Sequence, residues 1–153
     1  VGFKTLIKTI TAFTIAHSIT LALSVTNTFQ LPQSSAEALI ALTLIYLAIE
    51  VGENKKYQRT PWLLAFGFGL LHGFGFAGAL SEIGFSDSSL VYSLLFFNLG
   101  LEAGQLLVLP LFVMIVWLFH RVKITNFIYQ FSSYLIGGIA CFWLIERVTK
   151  IVI

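Results

Sequence analysis

The sequence predicts an all-α integral membrane protein, a bundle of about five transmembrane helices with a polar site at mid-membrane. Three observations predict it. Of 153 residues, 58% are hydrophobic and 10% charged, whereas a soluble globular domain carries about 45–50% apolar and about 25% charged residues. Mean hydropathy is +0.91, more apolar surface than a single core of this size can hide. The apolar residues also fall into runs of about 20, the length that crosses a hydrocarbon layer of about 30 Å at about 1.5 Å per residue.

The runs follow one another with little between them. The first spans about residues 5–26 and ends at "TNTFQLPQSS", whose Asn27 and Pro32 are turn formers. The second, about 35–51, gives way to the polar connector "GENKKYQRTP". The third covers about 62–82. The fourth, about 89–119, follows "GFSDSS" and is longer than one crossing needs. Pro110 lies inside it and removes one backbone hydrogen bond, so a tilt or kink is expected near Leu106. The fifth, about 126–148, follows "HRVKIT". No connector is long enough to form a domain, so residues 1–153 read as one transmembrane unit. The chain opens on Val1 with no cleavable signal pattern, and it reads as a piece of a longer or processed product.

Charge sets partners and orientation. A formal charge of +2, with no basic stretch interleaved with exposed aromatics, excludes nucleic acid as a partner and leaves the lipid bilayer. Cys141 is the only cysteine, so there is neither a disulfide framework nor a thiolate cluster. Lys4 and Lys8, then Lys55, Lys56 and Arg59, then Arg121 and Lys123 fall on one side of an alternating topology. Glu37, Glu82 and Asp87 fall on the other, with Arg147 and Lys150 dissenting. The positive-inside rule then places the amino end in the cytoplasm and the carboxyl end outside, in a bacterial inner membrane. Trp62, Trp117 and Trp143 fall near the expected interfaces.

Polar residues at depth are the functional signal. His72 lies about ten residues into the third span and His17 about a dozen into the first, both near mid-membrane. Glu102 falls near the middle of the fourth. Ionisable groups at that depth are costly unless paired, and they face a bundle interior or an aqueous path. Asn98, Glu102 and Gln105 share one helical stripe. Thr14, His17, Ser18 and Ser24 gather on one side of the first span. Gly69 and Gly75 lie on the face of His72 and are expected to leave open space beside it. The pairs Gly69–Gly73 and Gly100–Gly104 have the GxxxG spacing of closely packed helices. His120, beside Arg121, reads as interfacial. Glu50 and Glu53 flank the cytoplasmic mouth of the second span, as solvated charges or as an entrance or exit for cations. A bland reading stands beside all this: the imidazoles and the carboxyl could simply hydrogen-bond neighbouring helices.

Four blocks then resemble the HupE/UreJ family of membrane proteins: "FTIAHSITLAL", "EALIALTLIYLAIE", "FGFGLLHGFGFAGAL" and "FNLGLEAGQL", in the expected order. They cover about the first two thirds of the chain, and the fifth span matches only as a generic apolar helix. The resemblance implies a nickel or cobalt permease, of a family associated with hydrogenase and urease gene clusters. It implies His17, His72 and Glu102 as site residues, with Asn98 and Gln105 beside them. Two departures matter: members usually carry an upstream span with an Asp-His pair, absent here, and Glu50 is followed by Val51 where the family usually has Asn. The ligand set visible in this chain is therefore expected to be incomplete.

Imidazole nitrogen with carboxylate oxygen suits Ni²⁺, Co²⁺, Zn²⁺ or Cu²⁺ rather than thiolate-seeking Cu(I). A permease would use such ligands to replace a hydration shell weakly enough for release. Because neutral imidazole is the ligand, acidification is expected to compete with metal. Two alternatives remain at this point: an intramembrane metal-dependent hydrolase, in which the metal activates water, and a structural subunit of a larger membrane complex.

Overall fold

The computed structural model describes residues 2–53, 60–83, 90–121 and 125–153. They form five helices: α1 Phe3–Val25, α2 Gln33–Gly52, α3 Pro61–Ile83, α4 Leu90–Arg121 and α5 Thr125–Val152. No strand occurs among the described residues. Each helix coincides with one expected span to within a few residues, because the runs are bounded by residues that stop helices for local reasons. After α1, Asn27 takes a left-handed conformation with φ 55°, which an asparagine tolerates better than most residues. Its amide donates to the Ser24 carbonyl, and the amides of Thr28 and Phe29 donate to that of Leu23. The chain turns there and re-enters as α2 directly after Pro32. Three stretches are long and apolar enough to cross a membrane: Lys4–Val25, Gln33–Gly52 and Val91–Phe119. In α3 the qualifying apolar stretch is the shorter Pro61–Phe76. α4 runs unbroken through Pro110.

Packing pairs helices that are not neighbours in sequence. α1 makes its most extensive contact with α3, and α2 with α5; α2 and α3 join the two pairs, and α4 touches α1 and α5 only lightly. Small residues explain both pairings. A side chain at Gly73 would strike the Thr20 hydroxyl and the His17 carbonyl, and one at Gly69 would strike the Phe13 carbonyl. In the other pair, Gly52 lies against Ser133 and Gly137 against Ala48, while Ser133 Oγ donates to the Ala48 carbonyl at 2.6 Å. The two most deeply buried large side chains, Leu21 and His17, both belong to α1. The deepest packing therefore sits on α1 where α3 and α4 meet it, with Gly73 of α3 against the Leu21 backbone and Val25, Leu94 and Phe97 packed on Leu21.

The two ends of the bundle differ in their charges. At the end holding the start of α1, Lys8 lies over the Trp62 ring and Arg121 over the Trp117 ring, 4.1 and 4.8 Å from the ring centres. At the opposite end Arg147 Nε and Glu37 Oε2 form an ion pair at 2.5 Å, and Lys150 pairs with Glu146. The two basic residues that run against the expected charge asymmetry are thus both neutralised locally. Lys55, Lys56, Arg59, Asp87 and Lys123 lie outside the described residues, as do the side chains of Glu82 and His120.

Candidate functional site

The site begins on α1. Thr14, His17, Thr20 and Ser24 are buried along one face, a three-to-four-residue spacing that one side of a helix imposes. Ser18 Oγ donates to the Thr14 carbonyl at 2.7 Å. Thr20 Oγ1 lies 3.3 Å from the carbonyls of both Ala16 and His17. Ser18 and Thr20 satisfy themselves on their own helix in this way; histidine has no such option. His17 is 1% exposed, and neither Nδ1 nor Nε2 has a hydrogen-bond partner. Phe13 and Phe97 stack on its two sides with ring centres 5.9 and 6.4 Å away. Phe76 meets it edge-on at 5.4 Å.

His72 reaches the same region from α3. Its ring meets Phe13 edge-on at 5.5 Å, so one phenylalanine touches both imidazoles. Its Nε2 is 3.2 Å from Thr43 Oγ1 of α2. Three helices thus contribute to one level. The glycines act differently from the expectation. Gly69 and Gly75 do not leave space beside His72: the first is occupied by α1 and the second by the Ile40 side chain. Gly69 permits close approach of α1 and α3, the helices that carry the imidazoles, and Gly75 that of α2 to α3.

The carboxyl of α4 sits elsewhere. Glu102 Oε1 accepts from Thr11 Oγ1 at 3.2 Å. Thr11 precedes His17 by six residues, about 9 Å along the helix at about 1.5 Å per residue. The structure brings His17 and His72 together and leaves Glu102 about one and a half turns toward the start of α1. Among the described residues, no group of three or more His, Cys, Asp or Glu side chains lies close enough to hold a metal ion. On the same stripe, Asn98 Nδ2 donates to the Leu94 carbonyl at 2.8 Å, while Asn98 Oδ1 and Gln105 Oε1 are buried without partners. Glu50 is half-buried in the last turn of α2, and the exposed Glu53 caps that helix.

The unpartnered atoms have a pattern. Among the described residues, the buried side-chain atoms without a hydrogen bond are Thr14 Oγ1, both nitrogens of His17, Asn98 Oδ1, Gln105 Oε1 and the paired Glu37 and Arg147 atoms. Setting aside that ion pair, every one lies on α1 or α4, two helices in contact. Each of these four residues can offer a lone pair. An unmet buried polar group costs about 1–3 kcal/mol, so a seam of them is a feature to be explained. Sequence reasoning missed Thr11, Thr20 and Thr43. A lone threonine in the apolar run "ALIALTLIYLAIE", about ten residues into its span, was the available signal for Thr43.

Comparison with known proteins places the chain. A family model described as HupE / UreJ protein matches residues 1–147. The match therefore runs through most of α5, well beyond the two thirds that carry the four motif blocks. No curated protein and no solved structure matches.

Proposed function

The chain belongs to the HupE/UreJ family, and from that premise we propose that it is a permease for a divalent transition metal, nickel or cobalt first. Membership implies a function related to nickel or cobalt transport in general. The single observation that carries the finer reading is His17, fully buried with both ring nitrogens unmet. A histidine kept only for packing would hydrogen-bond a neighbouring helix. One kept for a passing cation has to hold its lone pair free.

The route follows the polar seam. All five helices cross a bacterial inner membrane with the amino end in the cytoplasm; the two cation–aromatic pairs at that end support this orientation. The cation enters from the outer side, passes Asn98, and exchanges part of its hydration shell for the nitrogens of His17 and His72. Two imidazoles without a carboxylate in the same shell make a site weak enough to release its cargo. Glu102, held by Thr11, is the next station toward the cytoplasm rather than a third ligand at the same level. Thr14, Ser18 and Gln105 flank the seam as neutral oxygen donors, and Glu50 and Glu53 receive the ion at the exit.

Uptake of Ni²⁺ and Co²⁺ into proteoliposomes, with His17→Leu and His72→Leu beside the native chain, tests the reading. Uptake is expected to fall at least tenfold in each variant. His17→Leu should also fold as stably as the native protein or more so, because it removes two unmet polar atoms and replaces them with an apolar group of similar size. Unchanged transport in the variants at normal abundance sinks the histidine route, and no uptake by the native chain sinks the permease. Metal that survives chelator washing, together with hydrolytic turnover, would move the assignment to a metal-dependent hydrolase.

A further inference from the structure

Thr43 has no part in the route above, yet its hydrogen bonds decide which atom of His72 is free. The Thr43 hydroxyl carries one hydrogen. It lies 2.7 Å from the Ile40 carbonyl, one helical turn back, and donates there. A carbonyl oxygen can only accept, so that proton is committed. The second contact, 3.2 Å to His72 Nε2, must then run the other way, with the ring donating and the hydroxyl oxygen accepting. Thr43 is 5% exposed, so water does not compete for the oxygen. No hydrogen bond to His72 Nδ1 occurs among the described residues.

We infer that Thr43 is a positioning residue that locks His72 as the Nε2–H tautomer and presents Nδ1 as its metal-binding atom. The role given to Nδ1 rests on the permease reading; the tautomer does not. Histidines that bind metal are commonly fixed this way, the second nitrogen donating to an oxygen that sets both tautomer and ring angle. Here the fixing oxygen comes from α2, the ligand from α3 and its companion His17 from α1. Any shift of α2 against α3 would therefore loosen the ligand without touching the metal.

The test uses the full chain labelled with ¹⁵N-histidine in lipid nanodiscs, with the His72 signals identified by their loss in His72→Gln. Without metal, the native ring is expected to show a protonated Nε2 and a bare Nδ1. Thr43→Ser should keep that pattern, and Thr43→Val should give a mixture of tautomers. On addition of Zn²⁺ alone, the native Nδ1 signal should move. Zinc affinity should drop about tenfold in Thr43→Val, the usual scale for losing such a support, and recover in Thr43→Ser. A native ring protonated on Nδ1, or an unchanged tautomer in Thr43→Val, overturns the lock. A correct tautomer whose nitrogens ignore zinc overturns Nδ1 as the metal-binding atom and leaves the lock standing, while the permease reading is decided separately by nickel and cobalt uptake.

Discussion

The chain contains two GxxxG pairs, and they meet opposite surroundings. Gly69 and Gly73 seat α3 on the backbone of α1, so closely that a methyl group at either would strike a carbonyl. Gly100 and Gly104 have nothing within 4 Å of the same hypothetical methyl group, and they line an open groove on α4 with Ile10, Gln105 and Phe112. The spacing is identical; among the described residues only the first pair has a partner. The motif confers the capacity for close approach, while neighbouring side chains decide whether it is used. Opposite Gly73 stands Thr20, whose hydroxyl is turned back onto its own helix, so at that point the two helices meet without leaving the Thr20 hydroxyl unmet.

Substitutions at these positions should separate the two regions. Gly73→Ala has the largest expected effect, a loss of about 3 kcal/mol, because the obstruction includes backbone that cannot swing aside. That outweighs the gain of about 0.5–1 kcal/mol from removing a glycine within a helix. Thermal denaturation in detergent would read it, and a stable Gly73→Ala protein would refute the closed seam. The α2–α5 pair is intermediate, held by small residues and by one ion pair. Arg147→Ala strips a largely buried carboxylate of its charged partner and should cost about 2 kcal/mol in the same assay, with Arg147→Lys recovering part of it. Thr11→Val removes the bond between α1 and α4. Since interhelical hydrogen bonds in membranes average about 0.6 kcal/mol, stability should change little, while a lowered metal uptake would mark Glu102 as displaced. At the open face, Gly104→Ala should be neutral or stabilising by at most about 1 kcal/mol; a marked loss would reveal a partner seated on α4.

Much of the fold was legible in the sequence because membrane helices announce themselves locally. Apolar length places each helix, and Asn27, Pro32 and Pro61 place several of its boundaries. Which helices pair was not legible. Gly69, Gly73, Gly100 and Gly104 give the same signal, and only the shapes opposite them differ. Depth was legible to about one and a half turns. His17 and His72 both meet the Phe13 ring, but α4 has 32 residues, more than one crossing needs, and its register along α1 is set by Phe97 against His17 and Glu102 against Thr11 rather than by its midpoint. Thr43 shows a further limit. Its sequence context is uniformly apolar, and its importance arises from a helix 29 residues away in the chain.

The pairing of α1 with α3 and of α2 with α5 has a consequence for synthesis. When α1 and α2 have entered the membrane, neither has met the helix it packs on most extensively. α1 carries Thr14, His17 and Thr20 on the face that α3 will later cover, and α2 carries Glu37, whose arginine is 110 positions downstream. Early intermediates of insertion therefore expose the groups least tolerated by lipid. α1 has to be sheltered by the insertion machinery, or by α2 alongside it, until α3 arrives. His17, the residue proposed above to meet the cation, is also a buried polar group that the nascent chain has to carry into the bilayer before its cover arrives.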